Sequence, residues 1–256
     1  MLQKFYAKSE IGFALAWIAA YVVLASAGDS ISAAVGISKI VTLPVLIALS
    51  AILYFFVSKN GLRKKYGLCR PRISAAKMLF YLPLILLLTA NLWYGVRLNQ
   101  SLPETVLYVL SMFCVGFLEE LIFRGLLFRA MAKESVKSAA AVSSVTFGIG
   151  HIVNLINGSG AELLPNLLQV MYAMAAGFAF VMIFCRTGSL MPCIITHSVF
   201  NGLSAFANES VMTPQRQILS GVLLAVIAGG YALYLGLAVR EEKPEGPTGG
   251  EGVGDI

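Results

Sequence analysis

Long apolar runs occupy most of this chain. The hydrocarbon core of a bilayer is about 30 Å thick, and an α-helix that rises 1.5 Å per residue crosses it in about 20 residues. Runs of suitable length occur eight times, at residues 11–28, 38–57, 78–96, 105–128, 138–156, 164–185, 189–207 and 217–239. The sequence therefore predicts an all-α, polytopic membrane protein, folded as a bundle of eight transmembrane helices.

The scarcity of charge excludes most other classes of protein. Hydrophobic residues make up 58% of the chain and charged residues only 12%, whereas soluble domains are roughly 25% charged. So little charge does not cover the surface of a soluble enzyme, a nucleic-acid-binding protein or a disordered protein. The net charge of +6 therefore indicates basic loops that orient a membrane protein, with the lipid bilayer and not a nucleic acid as partner.

The positions of lysine and arginine predict the orientation. Cytoplasmic loops collect basic residues. With the N-terminus inside and eight alternating spans, the outer side keeps only three of the 19 basic residues, Lys39, Arg97 and Arg216. We therefore expect a multi-pass protein of the bacterial plasma membrane with both termini in the cytoplasm. An alternative for the first span is a cleaved signal peptide, because the run ends in Ala25-Ser26-Ala27, which resembles a signal-peptidase site.

The chain is predicted to hold one membrane domain. Residues 1–240 contain all eight apolar runs and no internal repeat. Residues 241–256 are rich in Gly, Pro and Glu, a composition typical of disorder. We expect this last segment to be a disordered cytoplasmic tail.

A few ionisable side chains lie inside the predicted spans, where such groups are costly and usually functional. They are Glu119, Glu120, Arg124 and both histidines of the protein, His151 and His197. Glu120 and Arg124 are i,i+4 neighbours, so they can pair along one side of a helix. Glu119 is rotated by about 100° from Glu120, which leaves its carboxylate available for other chemistry.

The histidines each have a partner one turn away, Phe147 for His151 and Asn201 for His197. At 1.5 Å per residue, Glu119 lies about 21 Å from the outer side, and the histidines lie about 20 Å and 12 Å from the cytoplasmic side. These depths overlap within one or two helical turns. Three helices can therefore bring the polar groups together inside the membrane, either as a catalytic site or as a structural polar cluster.

Most intramembrane proteases do not fit this set of residues. A zinc protease with the H-E-x-x-H motif needs two histidines one turn apart, and the two here are far apart in sequence. The aspartates, Asp29 and Asp255, lie outside the predicted spans, which argues against an aspartyl dyad. Ser159 lies in a predicted outer loop, Asn157-Gly158-Ser159-Gly160, which argues against a serine protease.

The remaining type of mechanism is one in which a carboxylate and a histidine act on water. Carboxylates in different environments can serve as acid and base, and a histidine with an asparagine supplies N–H donors to a developing oxyanion. Amide hydrolysis is the reaction that this set of residues fits best.

Three motifs then resemble a known family. Residues 119–124 read E-E-x-x-x-R, residues 147–151 read F-x-x-x-H and residues 197–201 read H-x-x-x-N. In this order on the fourth, fifth and seventh predicted spans, within residues 105–205, they are similar to the CPBP family. This family includes type II CAAX prenyl endopeptidases and Abi proteins.

The resemblance implies an intramembrane endopeptidase in which Glu119 and His151 activate the attacking water. It further implies that His197 and Asn201 stabilise the oxyanion, while Glu120 and Arg124 order the site. We favour a mechanism without a cofactor. The alternative is a zinc enzyme with Glu119, His151 and His197 as ligands, which is an accepted ligand set for catalytic zinc.

Two other classes of function remain as alternatives. One is a catalytically silent membrane scaffold, such as a bacteriocin-immunity protein of the same fold. The other is a transporter or proton channel, but the chain lacks the paired, Gly- or Pro-interrupted helices that mark a midplane substrate site. The expected substrate is a membrane-associated protein or peptide, processed at a CAAX-type end or as a leader or pheromone precursor.

Overall fold

The structure, a computed structural model, describes residues 2–156 and 162–238. Within these ranges the chain is helical and has no strand beyond one isolated bridge between Val96 and Ala207. The predicted loop at 157–160 and the predicted tail at 241–256 lie outside the described residues.

The helices follow one another along the chain in a simple order. The α-helices are α1 (Leu2–Lys8), α2 (Glu10–Val35), α3 (Thr42–Lys59), α4 (Leu82–Leu88), α5 (Leu102–Glu119), α6 (Arg129–Met131), α7 (Val136–Gly150), α8 (Leu163–Thr187), α9 (Met191–Leu203) and α10 (Pro214–Leu237). A π-helix (Glu120–Phe128) joins α5 to α6. Short 3-10 helices occupy Ala75–Tyr81, Ala90–Leu92, His151–Leu155, Ser204–Phe206 and Glu209–Val211.

Six helical stretches in the described part of the chain are long and apolar enough to cross a membrane. They are Glu10–Val35, Thr42–Lys59, Leu102–Met131, Val136–Leu155, Leu163–Thr187 and Pro214–Leu237. Their outer faces carry large apolar side chains such as Phe55 and Leu233, each 67% exposed, as expected for contact with lipid. The prediction of an all-α, multi-pass membrane protein is confirmed, although these stretches account for six spans and not eight.

The predicted third span, residues 78–96, is not one continuous helix. A 3-10 helix ends in three residues with positive φ, Leu79, Phe80 and Tyr81, and α4 begins there with Pro83 in its first turn. Proline has no N–H to donate to a preceding turn, so it starts a helix and does not continue one. The apolar run therefore contains α4, of 7 residues, between two 3-10 helices.

The predicted seventh span, residues 189–207, contains a shorter helix than expected. α9 has 13 residues, about 20 Å at 1.5 Å per residue. It starts after Gly188, which has a left-handed φ of 66°, and carries Pro192 in its first turn. The last turn continues as the 3-10 helix Ser204–Phe206.

The first long helix extends further than the apolar run predicted. α2 continues to Val35 and ends at Gly36, whose φ of 78° closes the helix with bonds to two preceding carbonyls. Asp29 therefore lies inside the helix, and the expectation that it lies outside the spans was wrong. Its carboxylate is compensated there, because Oδ1 accepts hydrogen bonds from Lys39 at 2.7 Å and Thr42 at 2.6 Å.

A cluster of charges joins the start of α2 to two later segments. Glu10 Oε1 lies 2.8 Å from the ammonium groups of both Lys65 and Lys133. Partial burial lowers the pKa of Lys65, but its hydrogen bonds to Glu10 and Tyr6 outweigh that effect and raise the pKa above its ordinary value. One end of the bundle thus holds the start of α2, the loop after α3 and the segment after α6.

The same end also holds the turn between α8 and α9. The N–H of Arg72 donates to the carbonyl of Thr187 at 2.9 Å. The N–H of Leu190 donates to the carbonyl of Gly67 at 2.8 Å. These bonds attach the loop after α3 to the end of α8 and the start of α9.

The opposite end of the bundle collects three other connections. The N–H of Ser38, between α2 and α3, donates to Glu104 in the first turn of α5 at 3.2 Å. The N–H of Arg97 donates to the carbonyl of Phe206 at 2.9 Å. The turn after α2, the start of α5 and the end of α9 therefore meet at this end.

Candidate active site

The E-E-x-x-x-R motif lies where the long fourth helix changes its hydrogen-bond pattern. α5 ends at Glu119, and Glu120–Phe128 forms a π-helix in which all nine residues are buried. π-Helices are rare and frequently occur at functional sites. The expectation of regular α-helical geometry was wrong for these residues. The change from α-helix to π-helix falls between the two glutamates, because Glu119 is the last residue of α5 and Glu120 is the first residue of the π-helix.

The predicted ion pair between Glu120 and Arg124 is present. Arg124 Nη1 donates to Glu120 Oε1 at 3.1 Å, and both side chains are fully buried. The guanidinium also lies over the ring of Phe147, with 3.9 Å between its central carbon and the ring centroid. A cation over an aromatic face gains electrostatic stabilisation when it is removed from water. Arg124 therefore connects the π-helix to α7.

His197 of α9 lies between the two glutamates. Its Nδ1 is 2.8 Å from Glu120 Oε1, and its Nε2 is 3.5 Å from Glu119 Oε2. A carboxylate only accepts hydrogen bonds, so Nδ1 carries a proton and donates it to Glu120. The sequence placed His197 with Asn201, apart from the glutamates, whereas the structure also joins it to both of them.

Glu119 has a partner that the sequence did not predict. The hydroxyl of Tyr21, on α2, donates to Glu119 Oε1 at 2.6 Å. Among the described residues none donates a hydrogen bond to the second oxygen, Oε2. Tyr21 is an uncharged aromatic residue within an apolar run, so no sequence signal distinguished it from the surrounding hydrophobic residues.

His151 begins the 3-10 helix that follows α7. Its Nδ1 lies 3.0 Å from the carbonyl oxygen of Phe147, and the two rings pack edge to face, so the predicted pair is present. A carbonyl cannot donate, so Nδ1 carries the proton and Nε2 of the neutral ring keeps its lone pair. The carbonyl of His151 accepts a hydrogen bond from buried Asn166 at 2.8 Å. Asn166 is a second polar residue that the sequence did not single out.

Two cavities adjoin this cluster. The larger, of about 780 Å³, is lined in part by Glu119, His151, Asn201 and Tyr21. The smaller, of about 60 Å³, is lined in part by His151, His197 and Asn201. Four of the predicted residues therefore line one or both cavities, while Glu120 and Arg124 are fully buried and line neither.

Two glycines let the helices approach closely enough to form the cluster. A Cβ on Gly116 of α5 would lie 2.7 Å from the backbone nitrogen of Ser198, next to His197. A Cβ on Gly148 of α7 would lie 2.9 Å from the carbonyl oxygen of Val170 on α8. Small residues at crossings are typical of membrane helices that pack backbone to backbone. These crossings set the positions of both histidines.

The alternative zinc ligands do not fit a metal ion as they are arranged. A catalytic zinc site needs three protein ligands, each about 2.0–2.2 Å from one ion. Residues 2–156 and 162–238 contain no group of three or more His, Cys, Asp or Glu side chains that could hold one. Glu119, His151 and His197 do not form such a set, and His197 Nδ1 already bonds Glu120 at 2.8 Å. No step below therefore uses a metal.

Comparison with known families supports the reading of the motifs. The family model described as "Type II CAAX prenyl endopeptidase Rce1-like" matches residues 101–203, a range that contains all six predicted site residues. The match supports the resemblance to the CPBP family over these residues. The comparisons with curated proteins and with solved structures gave no match.

The CPBP match does not cover the whole site. Tyr21, which contacts Glu119, belongs to α2 and lies before the matched range. α2 packs against the π-helix, so a helix outside the matched range contributes a direct contact to the motif E-E-x-x-x-R. The matched model describes an endopeptidase family.

Proposed function

We propose that this CPBP protein is an intramembrane endopeptidase that hydrolyses a peptide bond of a membrane-associated protein or peptide with activated water. One observation carries the proposal: Glu119, Glu120, Arg124 and His197 form a buried cluster whose one accessible carboxylate, that of Glu119, lines a cavity of about 780 Å³. Buried charge of this kind is costly in a membrane and is usually retained for function.

The attacking water would bind at the Glu119 carboxylate, from the cavity that this residue lines. Oε2 of this carboxylate lies 3.5 Å from His197 Nε2, which is long for a direct hydrogen bond, and no described residue donates to it. Glu119 takes a proton from the water as its oxygen attacks the substrate carbonyl carbon. His151, on the wall of the same cavity, offers the lone pair of Nε2 to the second hydrogen of the water. The carboxyl group of Glu119 then returns a proton to the leaving amine.

The oxyanion would be stabilised by His197 and Asn201. A histidine donates from both nitrogens only as the imidazolium, and the two carboxylates beside His197 stabilise that positive charge. His197 and Asn201 both line the smaller cavity, where a carbonyl oxygen could gain charge. Glu120 and Arg124 hold the imidazole in this orientation. Preorganised donors of this kind typically account for about 10²–10³ in kcat each.

The reaction so described requires no cofactor. Every proton transfer uses a side chain of the chain itself, and we propose a glutamate-type mechanism on that ground. The zinc alternative is distinguished by the metal content of active protein, because removal of a catalytic ion abolishes activity and its return restores it.

We further propose that the chain crosses the membrane eight times, with both termini in the cytoplasm of a bacterial cell. α3 leaves the end of the bundle that holds Ser38 and arrives at the end that holds Lys65. α5 begins again beside Ser38, so the segment with α4 must return across the bundle. The short α9 likewise connects Leu190 at one end to the 3-10 helix before Ala207 at the other. The basic loop after α3 indicates which end is cytoplasmic.

The substrate is a CAAX-type protein or a leader or pheromone precursor, and a comparison of membranes tests this. Cells that produce the wild-type chain are compared by proteomics with cells that produce Glu119→Gln, which keeps the shape of the side chain but not its charge. Glu209→Gln, at an exposed glutamate outside the cluster, is the matched control. We expect a precursor to accumulate with Glu119→Gln only.

The same comparison tests the alternative function. A silent scaffold or immunity protein acts by binding, so its phenotype would survive Glu119→Gln at normal abundance. Identical membrane proteomes for wild type and Glu119→Gln, with the immunity phenotype retained, would contradict the endopeptidase proposal.

A further inference from the structure

The bond from Tyr21 to Glu119 restricts the candidate base to one orientation. The Tyr21 hydroxyl is 2.6 Å from Glu119 Oε1, a length typical of a hydroxyl that donates to an ionised carboxylate. The tyrosine ring is buried, with 8% of the residue exposed, so the donor has little freedom to move. With Oε1 held, the carboxylate presents Oε2 toward His197.

A carboxylate without this bond has other orientations available. The glutamate side chain has a broad, roughly two-fold torsion at its end, and Glu119 is 13% exposed at the wall of a large cavity. Rotation about this torsion would move Oε2 away from His197. Displacement of a reacting group by about 1 Å can cost roughly 10²-fold in rate.

We propose that Tyr21 is a positioning residue, which holds the Glu119 carboxylate in the orientation in which Oε2 faces His197. The proposal rests on the proposed endopeptidase function. It assigns a catalytic contribution to α2, outside the range that the CPBP family model matches. Tyr21 acts through Glu119 and does not touch the reacting atoms.

Steady-state kinetics of the purified full chain test the proposal, with the precursor found in the membrane comparison as substrate. Tyr21→Phe removes the hydroxyl and keeps the ring. Tyr231→Phe is the matched control, because Tyr231 is also buried and its hydroxyl also donates one hydrogen bond, to the carbonyl of Met78 at 3.1 Å. We expect kcat of Tyr21→Phe to fall about 10–100-fold with KM within twofold of wild type, and Tyr231→Phe to retain wild-type kcat.

Thermal unfolding in detergent tests the contact itself, independently of activity. Tyr21→Phe should lower the melting temperature of the wild-type chain more than that of the Glu119→Ala chain, in which the hydroxyl has no carboxylate to bind. Equal decreases in both chains would overturn the contact and with it the proposal.

The kinetic outcomes separate this proposal from the proposed function. If the wild type cleaves the precursor and Tyr21→Phe has the same kcat, the positioning role is overturned while the endopeptidase function stands. A fall in kcat that Tyr231→Phe shares would also overturn it, because the effect would then follow from any lost buried hydroxyl bond. If the wild-type chain itself cleaves no precursor, the proposed function fails and the positioning role fails with it.

Discussion

Replacement of Arg124 by alanine should destabilise the protein more than replacement of Glu119. Arg124 is fully buried and is bonded to fully buried Glu120, and breaking a buried pair costs about 3–5 kcal/mol because one charge is left without its partner. The guanidinium over Phe147 adds up to about 2 kcal/mol when desolvated. Glu119→Ala instead leaves the Tyr21 hydroxyl without its acceptor, a cost of about 1–3 kcal/mol.

Thermal unfolding in detergent measures the difference. For a chain of this size, 1 kcal/mol corresponds to roughly 2–4 °C in Tm, so a difference of about 2 kcal/mol should separate the two variants by about 4–8 °C. Arg129→Ala is the matched control. Arg129 follows on α6 and its guanidinium also lies over a ring, that of Phe184 at 4.3 Å, but it is less buried than Arg124.

The assignment of different roles to the two glutamates depends on this result. We expect Arg124→Ala to melt lowest, with Glu119→Ala closer to wild type but inactive. If Arg124→Ala and Glu119→Ala melt at the same temperature and accumulate equally, then the Glu120–Arg124 pair does not carry the stability of the cluster, and our separation of a structural from a reactive carboxylate is wrong.

Three further predictions test the geometry, the topology and the mechanism. Gly116→Ala should lower activity at least about 10-fold, because the new Cβ displaces α9 at Ser198. Gly202→Ala is the control and should keep its activity, because its Cβ would meet Phe113 at an ordinary 3.6 Å. Equal activities of the two variants would contradict the role of the close crossing. Single cysteines at positions 61 and 100, in a chain without its native cysteines, should be labelled from opposite sides of the membrane, and labelling from one side would show that the α4 segment does not cross. Activity should survive a metal chelator, and a stoichiometric ion whose removal abolishes turnover would refute the metal-free mechanism.

The contacts between site residues that lie close together in the sequence were predictable. Glu120 with Arg124, and Phe147 with His151, are four residues apart, so helical spacing alone places them together. Both contacts occur in the structure. The membrane class was predictable for a different reason, since the lengths of apolar runs follow directly from the thickness of a bilayer.

Other parts of the site depend on packing between distant elements, which has no local signal. Tyr21 meets Glu119 across 98 positions of sequence, and His197 meets Glu120 across 77. Depth within the membrane predicted that three helices could share a site, but not which side chains would bond. The π-helix was also missed, because periodicity at 3.6 residues per turn contains no information about a local change to i→i+5 bonding.

The lengths of the helices in the third and seventh predicted spans were overestimated. An apolar run shows that a segment avoids water, but not that it is one helix. Pro83 and Pro192 each begin a helix inside such a run, so the segments around α4 and α9 contain shorter helices than their apolar length suggests. α9 is nevertheless the helix that carries His197 and Asn201. Its start is attached to the loop after α3, because the N–H of Leu190 donates to the carbonyl of Gly67.

The charge of the cluster links the fold to the proposed chemistry. Two carboxylates, Glu119 and Glu120, lie beside one guanidinium, that of Arg124, and beside the ring of His197. With His197 as the imidazolium these four groups sum to zero, which is the arrangement that a low-dielectric interior tolerates best. In the proposed mechanism, the cluster gains one positive charge when Glu119 accepts a proton from water, close to the oxyanion that forms at the same moment. The proposed mechanism therefore couples the activation of water to the stabilisation of the oxyanion through His197, the imidazole that contacts both glutamates.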